Sequence, residues 1–190
     1  VKAERHPVFP GGVAILHAAM ESLGIEEMRV ADGAMREGIL ADLPGRLEHV
    51  DPRGASVERL AARFHADSAQ AERVIAVAAE LFKQAREPWA LDDEAGWLLR
   101  WAACLHEIGL DIAHSSCHKH AAYITANTDL AGFAHGEQLQ LATLVRAWRR
   151  KFPVGQFEAF GEGDGRRLKR LAVLLRIAAV LKHPAFEEEQ

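Results

Sequence analysis

From residue 56 onward, apolar side chains recur at the spacing of one helical face, and this repeat most restricts what the chain can build. Val57, Leu60, Ala61 and Phe64 stand at i, i+3, i+4 and i+7. Ala71, Val74, Ile75, Ala78, Leu81, Phe82 and Ala85 form a second stripe, and Leu168, Leu171, Ala172, Leu175, Ala178 and Ala179 a last one within residues 166–182. Helices that bury one face produce this period, whereas strands alternate at every second residue. Between the stripes, Trp97 to Glu107 reads as a helix ending at Gly109. Ser115 or Ser116 can cap a helix carrying His118, His120 and Tyr123. Residues 136–151 place Leu141, Leu144, Val145 and Trp148 inward before Pro153, and Gly161, Gly163 and Gly165 punctuate a loop. The expectation is a mainly α protein whose body is a bundle of about six helices.

The first 45 residues differ. Val13 to Leu23 is apolar and Ala-rich, after Pro10-Gly11-Gly12 and before Gly24. Met28-Arg29-Val30-Ala31 reads as a strand, and Asp32-Gly33 turns it into a second helix ending near Leu43-Pro44-Gly45. A short strand and its helices cannot bury a core alone, so residues 1–45 are expected to be the end of a neighbouring domain. Residues 46–55, with Pro52 and Gly54, read as a linker. Ser56 is the expected N-cap of the helical domain, residues 56–190.

No run of eighteen apolar residues exists and the N-terminus is polar, so neither a membrane span nor a signal peptide is expected. Two cysteines, Cys104 and Cys117, make no disulfide framework, and a reducing cytoplasm is the expected location. The net charge of −4 conceals an asymmetry. Residues 146–182 hold ten Lys or Arg against three acids, a local excess of seven positive charges. That imbalance points to an anionic partner, set against the plainer reading of a solvated helix face.

The most pointed chemical signal is Leu105-His106-Glu107-Ile108-Gly109 in an apolar helix, with His114, His118 and His120 close behind. Imidazole nitrogen and carboxylate oxygen together suit a divalent first-row metal. The run resembles the Leu-His-Asp-Ile-Gly core of HD-type metal phosphohydrolases. Those enzymes also need a His on an early helix and an Asp on a late one. Here Gln70 or a neighbour, and Ala179, stand at those places and Glu107 replaces the central Asp. An amide is a poor ligand and a methyl is none, so the resemblance implies an HD-like fold whose metal site has decayed. His106 and Glu107 are the candidate ligands that remain, and no metal is expected in this chain.

A wider resemblance covers nearly the whole chain. Phe9 to Leu16, with Val30-Ala31-Asp32-Gly33-Ala34-Met35-Arg36-Glu37-Gly38-Ile39-Leu40, resembles the end of the second actin-like (ribonuclease H-like) domain of the exopolyphosphatase and guanosine pentaphosphate phosphatase family. Cys104 to Ser115, His118 to Tyr123 and Asn127 to Phe133 resemble that family's HD-like helical third domain. The resemblance implies a hydrolase that removes a terminal phosphate from polyphosphate or pppGpp, using magnesium in the full-length enzyme. The phosphate loops and catalytic Glu of the actin-like domains are not in this sequence, so no residue here inherits a catalytic role and the chain carries no cofactor of its own. What remains is polyanion binding, with homodimer formation and the N-terminal actin-like domains as partners.

Arg146, Arg149, Arg150, Arg166, Lys169, Arg170 and Arg176, on the last two long helices, are the expected polyanion track, extended by Lys119, His118 and His120. Two other readings stay open: an independent HD-type phosphohydrolase acting on nucleotides, and a nucleic-acid-binding helical domain.

Overall fold

A computed structural model describes residues 8–25, 27 and 51–182 of the chain. It divides into two units, residues 1–32 and 33–190. In the first, α1 runs Phe9–Leu23, four residues earlier than the sequence reading placed it, with Pro10, Gly11 and Gly12 inside its first turn. Gly24 ends it in the left-handed region, and the amides of Gly24 and Ile25 donate to the carbonyls of Glu21 and Met20. No residue of α1 is fully buried, and Phe9, Val13, Ile15 and Leu16 are exposed. The expected strand and second helix, residues 28–45, lie outside the described residues.

In the second unit the described residues contain seven α-helices and one 3-10 turn: α2 (Pro52–Arg63), α3 (Ser68–Ala85), α4 (Asp93–Leu105), a 3-10 turn (Ile108–Asp111), α5 (Cys117–Asn127), α6 (His135–Ala147), α7 (Val154–Glu158) and α8 (Gly161–Leu181). The mainly helical class expected from periodicity is the observed one. Three aspartates start the first three helices. Asp51, Asp67 and Asp92 accept from the amides of Arg53, Gln70 and Ala95 at 2.9, 3.0 and 2.8 Å. Pro52 fits the first turn because its missing N–H has no helical partner there. Residues 52–55 are thus helical rather than linker. Ser56 is not a cap: its buried hydroxyl lies 2.9 Å from the Arg53 carbonyl and 3.0 Å from that of Ala131, joining α2 to the loop before α6.

Helix α4 is the axis of the core. Leu98, Leu99, Trp101, Ala102, Ala103 and Leu105 are all buried, so more than half of its circumference is covered, with α2, α3, α6 and α8 packed around it and Trp97 and Arg100 on the open face. Trp101 meets Phe133 edge-on at 5.0 Å. Arg53 lies over the Trp101 ring at 4.8 Å and bonds Glu94 at 2.6 Å and Glu137 at 3.3 Å, linking α2, α4 and α6 across the bundle surface.

Two glycines permit close approaches. A Cβ on Gly109 would overlap the carbonyl oxygen of Cys117 and the amide of Ala121, so only glycine lets the 3-10 turn lie against α5. A Cβ on Gly165 would overlap the Phe157 carbonyl oxygen in the same way. This corrects the glycine-rich loop: Gly161, Gly163 and Gly165 form the first turns of α8, which packs there on the short helix α7. Helix α6 also stops at Ala147, earlier than expected, and the chain bends through residues 148–150.

Candidate polyanion-binding site

The chain bend after α6 decides where the basic residues go. Arg146 is in the last turn of α6, while Arg149 and Arg150 lie beyond it, with Arg150 at φ 64°. The carbonyls that a helix end leaves without partners are taken by Arg176 from α8. Its Nη1 donates to the Ala147 carbonyl at 3.3 Å and its Nη2 to that of Arg150 at 2.6 Å. Arg149 points toward the start of α5, donating from Nη1 to the sulfur of Cys117 at 3.2 Å, with its guanidinium 5.1 Å from the Trp148 ring centroid.

His118, in the first turn of α5, is buried and faces this group. Its pKa is pushed down to about 4, first by loss of solvent and then by the charges of Arg146, Arg149, Lys119 and Arg150. The ring is therefore neutral at pH 7. Ser116, expected as a possible cap, sits in the left-handed region and its side chain makes no cap bond. Its carbonyl instead accepts from the amides of Lys119 and His120 at 2.7 and 3.3 Å. His120 is partly exposed.

The remaining basic candidates stand elsewhere on α8. Arg166 and Arg176 are ten residues apart in the chain, about 15 Å along a helix axis. Arg166 is paired with Glu162 at 2.7 Å. Arg170 donates to the Trp89 carbonyl at 2.7 Å and lies over its ring. Lys169 and Arg166 line a cleft of about 280 Å³ that also presents Glu158 and Glu162. The structure thus groups Arg146, Arg149, Arg150, Lys119 and His118, with Arg176 supporting the turn. Arg166, Lys169 and Arg170 fall among carboxylates and a backbone carbonyl.

At the candidate metal residues, His106 is 1% exposed and 5.0 Å from Trp148, edge to face. Its Nδ1–H donates to the Ala103 carbonyl at 2.7 Å, and Nε2 is 3.8 Å from Glu107. Burial lowers its pKa, against the opposing pull of Glu107 and the Ala103 carbonyl. Among the described residues no group of three or more His, Cys, Asp and Glu is arranged to hold a metal. Gln70 is buried and engaged: Nε2 donates to the Lys182 carbonyl at 2.7 Å, and Oε1 accepts from Arg73 at 2.6 and 3.1 Å. Ala179 is buried in the core. The residues singled out by the resemblance to HD-type enzymes are thus a buried histidine, a carboxylate, a tied amide and a buried methyl group.

The four tryptophans serve packing. Trp101 and Trp148 are buried, Trp89 lies under Arg170, and Trp97 is half exposed with its ring stacked 6.3 Å from Trp101.

Sequence comparison sets this helical unit in its family. The model of Ppx/GppA phosphatase, domain III, matches residues 53–189. The chain belongs to the Ppx/GppA phosphatase family. A second model, of the Ppx/GppA phosphatase family as a whole, matches residues 1–46. Among curated relatives, the guanosine-5'-triphosphate,3'-diphosphate pyrophosphatase of Aeromonas hydrophila is 43% identical over 180 residues, 94% of this chain and 36% of the relative. The protein of the same name from Photobacterium profundum is 35% identical over 188 residues, 98% of this chain and 37% of the relative. That of Vibrio cholerae is 37% identical over 189 residues, 97% and 37% respectively. The chain therefore spans little more than a third of the length of these relatives. Within Ppx/GppA domain III, the part of the site that sequence reading missed is the first turn of α5 with Cys117. The only signal for it was a helix start beside His118-Lys119-His120.

Proposed function

We propose that this chain is the middle-to-C-terminal part of a cytoplasmic phosphatase that removes a terminal phosphate from guanosine pentaphosphate or polyphosphate. In this reading its helical unit grips the polyanion and forms dimers, without catalysing the reaction. The names of the relatives favour guanosine pentaphosphate over polyphosphate. The observation that carries the binding role is the group of cations at the junction of α5 and α6. Among the described residues no carboxylate pairs with Arg146, Arg149, Arg150 or Lys119. Closely set cations without acids repel one another, and a polyanion relieves that repulsion.

Hydrolysis and its magnesium belong, in this reading, to the actin-like part of the protein. Among the described residues no three His, Cys, Asp or Glu are grouped to hold a metal, and Gln70 is bonded to the Lys182 carbonyl. This weighs against an independent metal phosphohydrolase.

The test is titration of the chain with long-chain polyphosphate and with guanosine pentaphosphate at two salt concentrations, followed by calorimetry. Binding that weakens steeply with salt supports the reading. A folded chain that binds neither anion overturns it. Sedimentation at several concentrations reports separately on the dimer.

A further inference from the structure

We propose that the open face of α4 is a dimer surface, on which two copies of this chain pack α4 against α4, antiparallel, about a two-fold axis beside Gly96 and Trp97. This rests on the dimer in the reading above and gives it a place and a register.

A cavity of about 520 Å³ opens between α3 and α4, walled by Ile75, Ala79 and Phe82 on one side and by Gly96, Trp97 and Arg100 on the other. A second, of about 440 Å³, begins at the same Ile75 and Arg100 and continues toward Ala71 and Cys104. The two make one largely apolar groove along the pair of helices. Trp97 stands at its edge, 52% exposed, with its ring stacked 6.3 Å from that of Trp101. A large aromatic side chain left half in water beside an apolar groove is the kind of anchor on which interfaces are built. Because Gly96 has no side chain, the Phe82 ring lies against α4 there, 3.1 Å from where a Cβ would stand. That ring edge, beside Trp97, completes an apolar seat.

The charges choose the occupant. Asp93, Gly96, Trp97, Arg100 and Cys104 follow at i, i+3, i+4, i+7 and i+11, so they share one face of α4. A surface that binds its own copy makes each contact twice, with the two residues exchanged. In an antiparallel crossing centred between Gly96 and Trp97, Arg100 of each copy stands opposite Asp93 of the other, and Trp97 opposite Gly96. Arg100 is exposed, and among the described residues no carboxylate pairs with it, although Glu58 and Glu72 line the second cavity. Asp93 is 79% exposed and meets Arg86 through Oδ1 at 2.7 Å, which leaves Oδ2 for Arg100 of the second copy. A parallel crossing about a two-fold axis would instead set Arg100 against Arg100. The apolar groove supplies the affinity, and the two ion pairs at its rim fix the register.

The experiment is sedimentation equilibrium of the chain and of four variants, each checked for native helicity by circular dichroism. Trp97→Ala should raise the dimer dissociation constant by about tenfold or more. Asp93→Lys and Arg100→Glu each set like charges opposite one another at both ends of the crossing, and each should leave the chain monomeric. Mixing those two variants should give a mixed dimer, because each then carries the charge that the other's substitution calls for. The double variant Asp93→Lys, Arg100→Glu should dimerise with itself for the same reason.

A dimer that persists unchanged in all four variants overturns this surface and leaves the dimer itself standing. Loss of the dimer in the single variants, with no recovery in the mixture or the double variant, overturns the antiparallel register and with it the proposal. A chain that is monomeric at every concentration overturns both the surface and the dimer, and leaves the groove to a different partner.

Discussion

The amide of Gln70 at the start of α3 is bonded to the carbonyl of Lys182 at the end of α8, 2.7 Å away across 112 residues of sequence. The residue that the resemblance to HD-type enzymes set near a metal-binding histidine closes the bundle. Gln70→Ala removes the bond to the Lys182 carbonyl and frees the Arg73 guanidinium from Oε1. The expected loss is about 1–3 kcal/mol in urea denaturation, with no change in metal content. An unchanged midpoint would mean that this bond adds nothing to stability.

Stability should fall in acid. His118 has a folded pKa of about 4 against an ordinary 6.5, so below 6.5 the unfolded chain takes up a proton that the folded chain refuses. Stability is therefore full above pH 6.5 and is lost progressively down to about pH 4, by up to about 3 kcal/mol. The buried His106, also shifted down, acts in the same direction. Denaturation of the chain and of His118→Gln from pH 7.5 to pH 4 checks this, with the variant expected to show the shallower slope.

Glycine substitutions should separate packing from helix propensity. Gly109→Ala drives a methyl into the backbone of Cys117 and Ala121 and should cost at least about 2 kcal/mol. Gly163→Ala meets open space in the first turns of α8 and should stabilise by about 0.5–1 kcal/mol. Thermal melts of the two variants should move in opposite directions.

Arg176 supports the cation-bearing turn after α6 through the backbone. Its fork spans the carbonyls of Ala147 and Arg150, and its guanidinium lies 5.5 Å from the Phe152 ring centroid. Arg176→Lys keeps the charge but cannot span both carbonyls, so polyphosphate affinity should drop several-fold while the salt dependence stays nearly the same. Loss of salt dependence instead would place Arg176 in direct contact with the anion.

Leu171, fully buried on α8, tests the core itself. Leu171→Ala should cost about 2–5 kcal/mol, read from chemical denaturation, because the bundle cannot collapse around the lost side chain.

The sequence by itself determined the helical class and most buried faces. Val57 and Leu60, Val74 and Ala78, and Leu168, Leu171 and Leu175 are core residues, as their spacing required. Periodicity is local, and it reports which face of a helix is hidden from water whatever covers that face. Only the tertiary structure decided what depends on distant partners. It made Gly161 to Gly165 helix rather than loop, because α7 lies against Gly165. It gave the α2 cap to Asp51 and bound Ser56 to a loop 75 residues away. It also divided one run of positive charge in two: Arg166 and Arg170 satisfied by Glu162 and the Trp89 carbonyl, and Arg146, Arg149 and Arg150 left around a neutral histidine on α5. A charge in a sequence has a sign and a position, but its partner is chosen only when the helices pack.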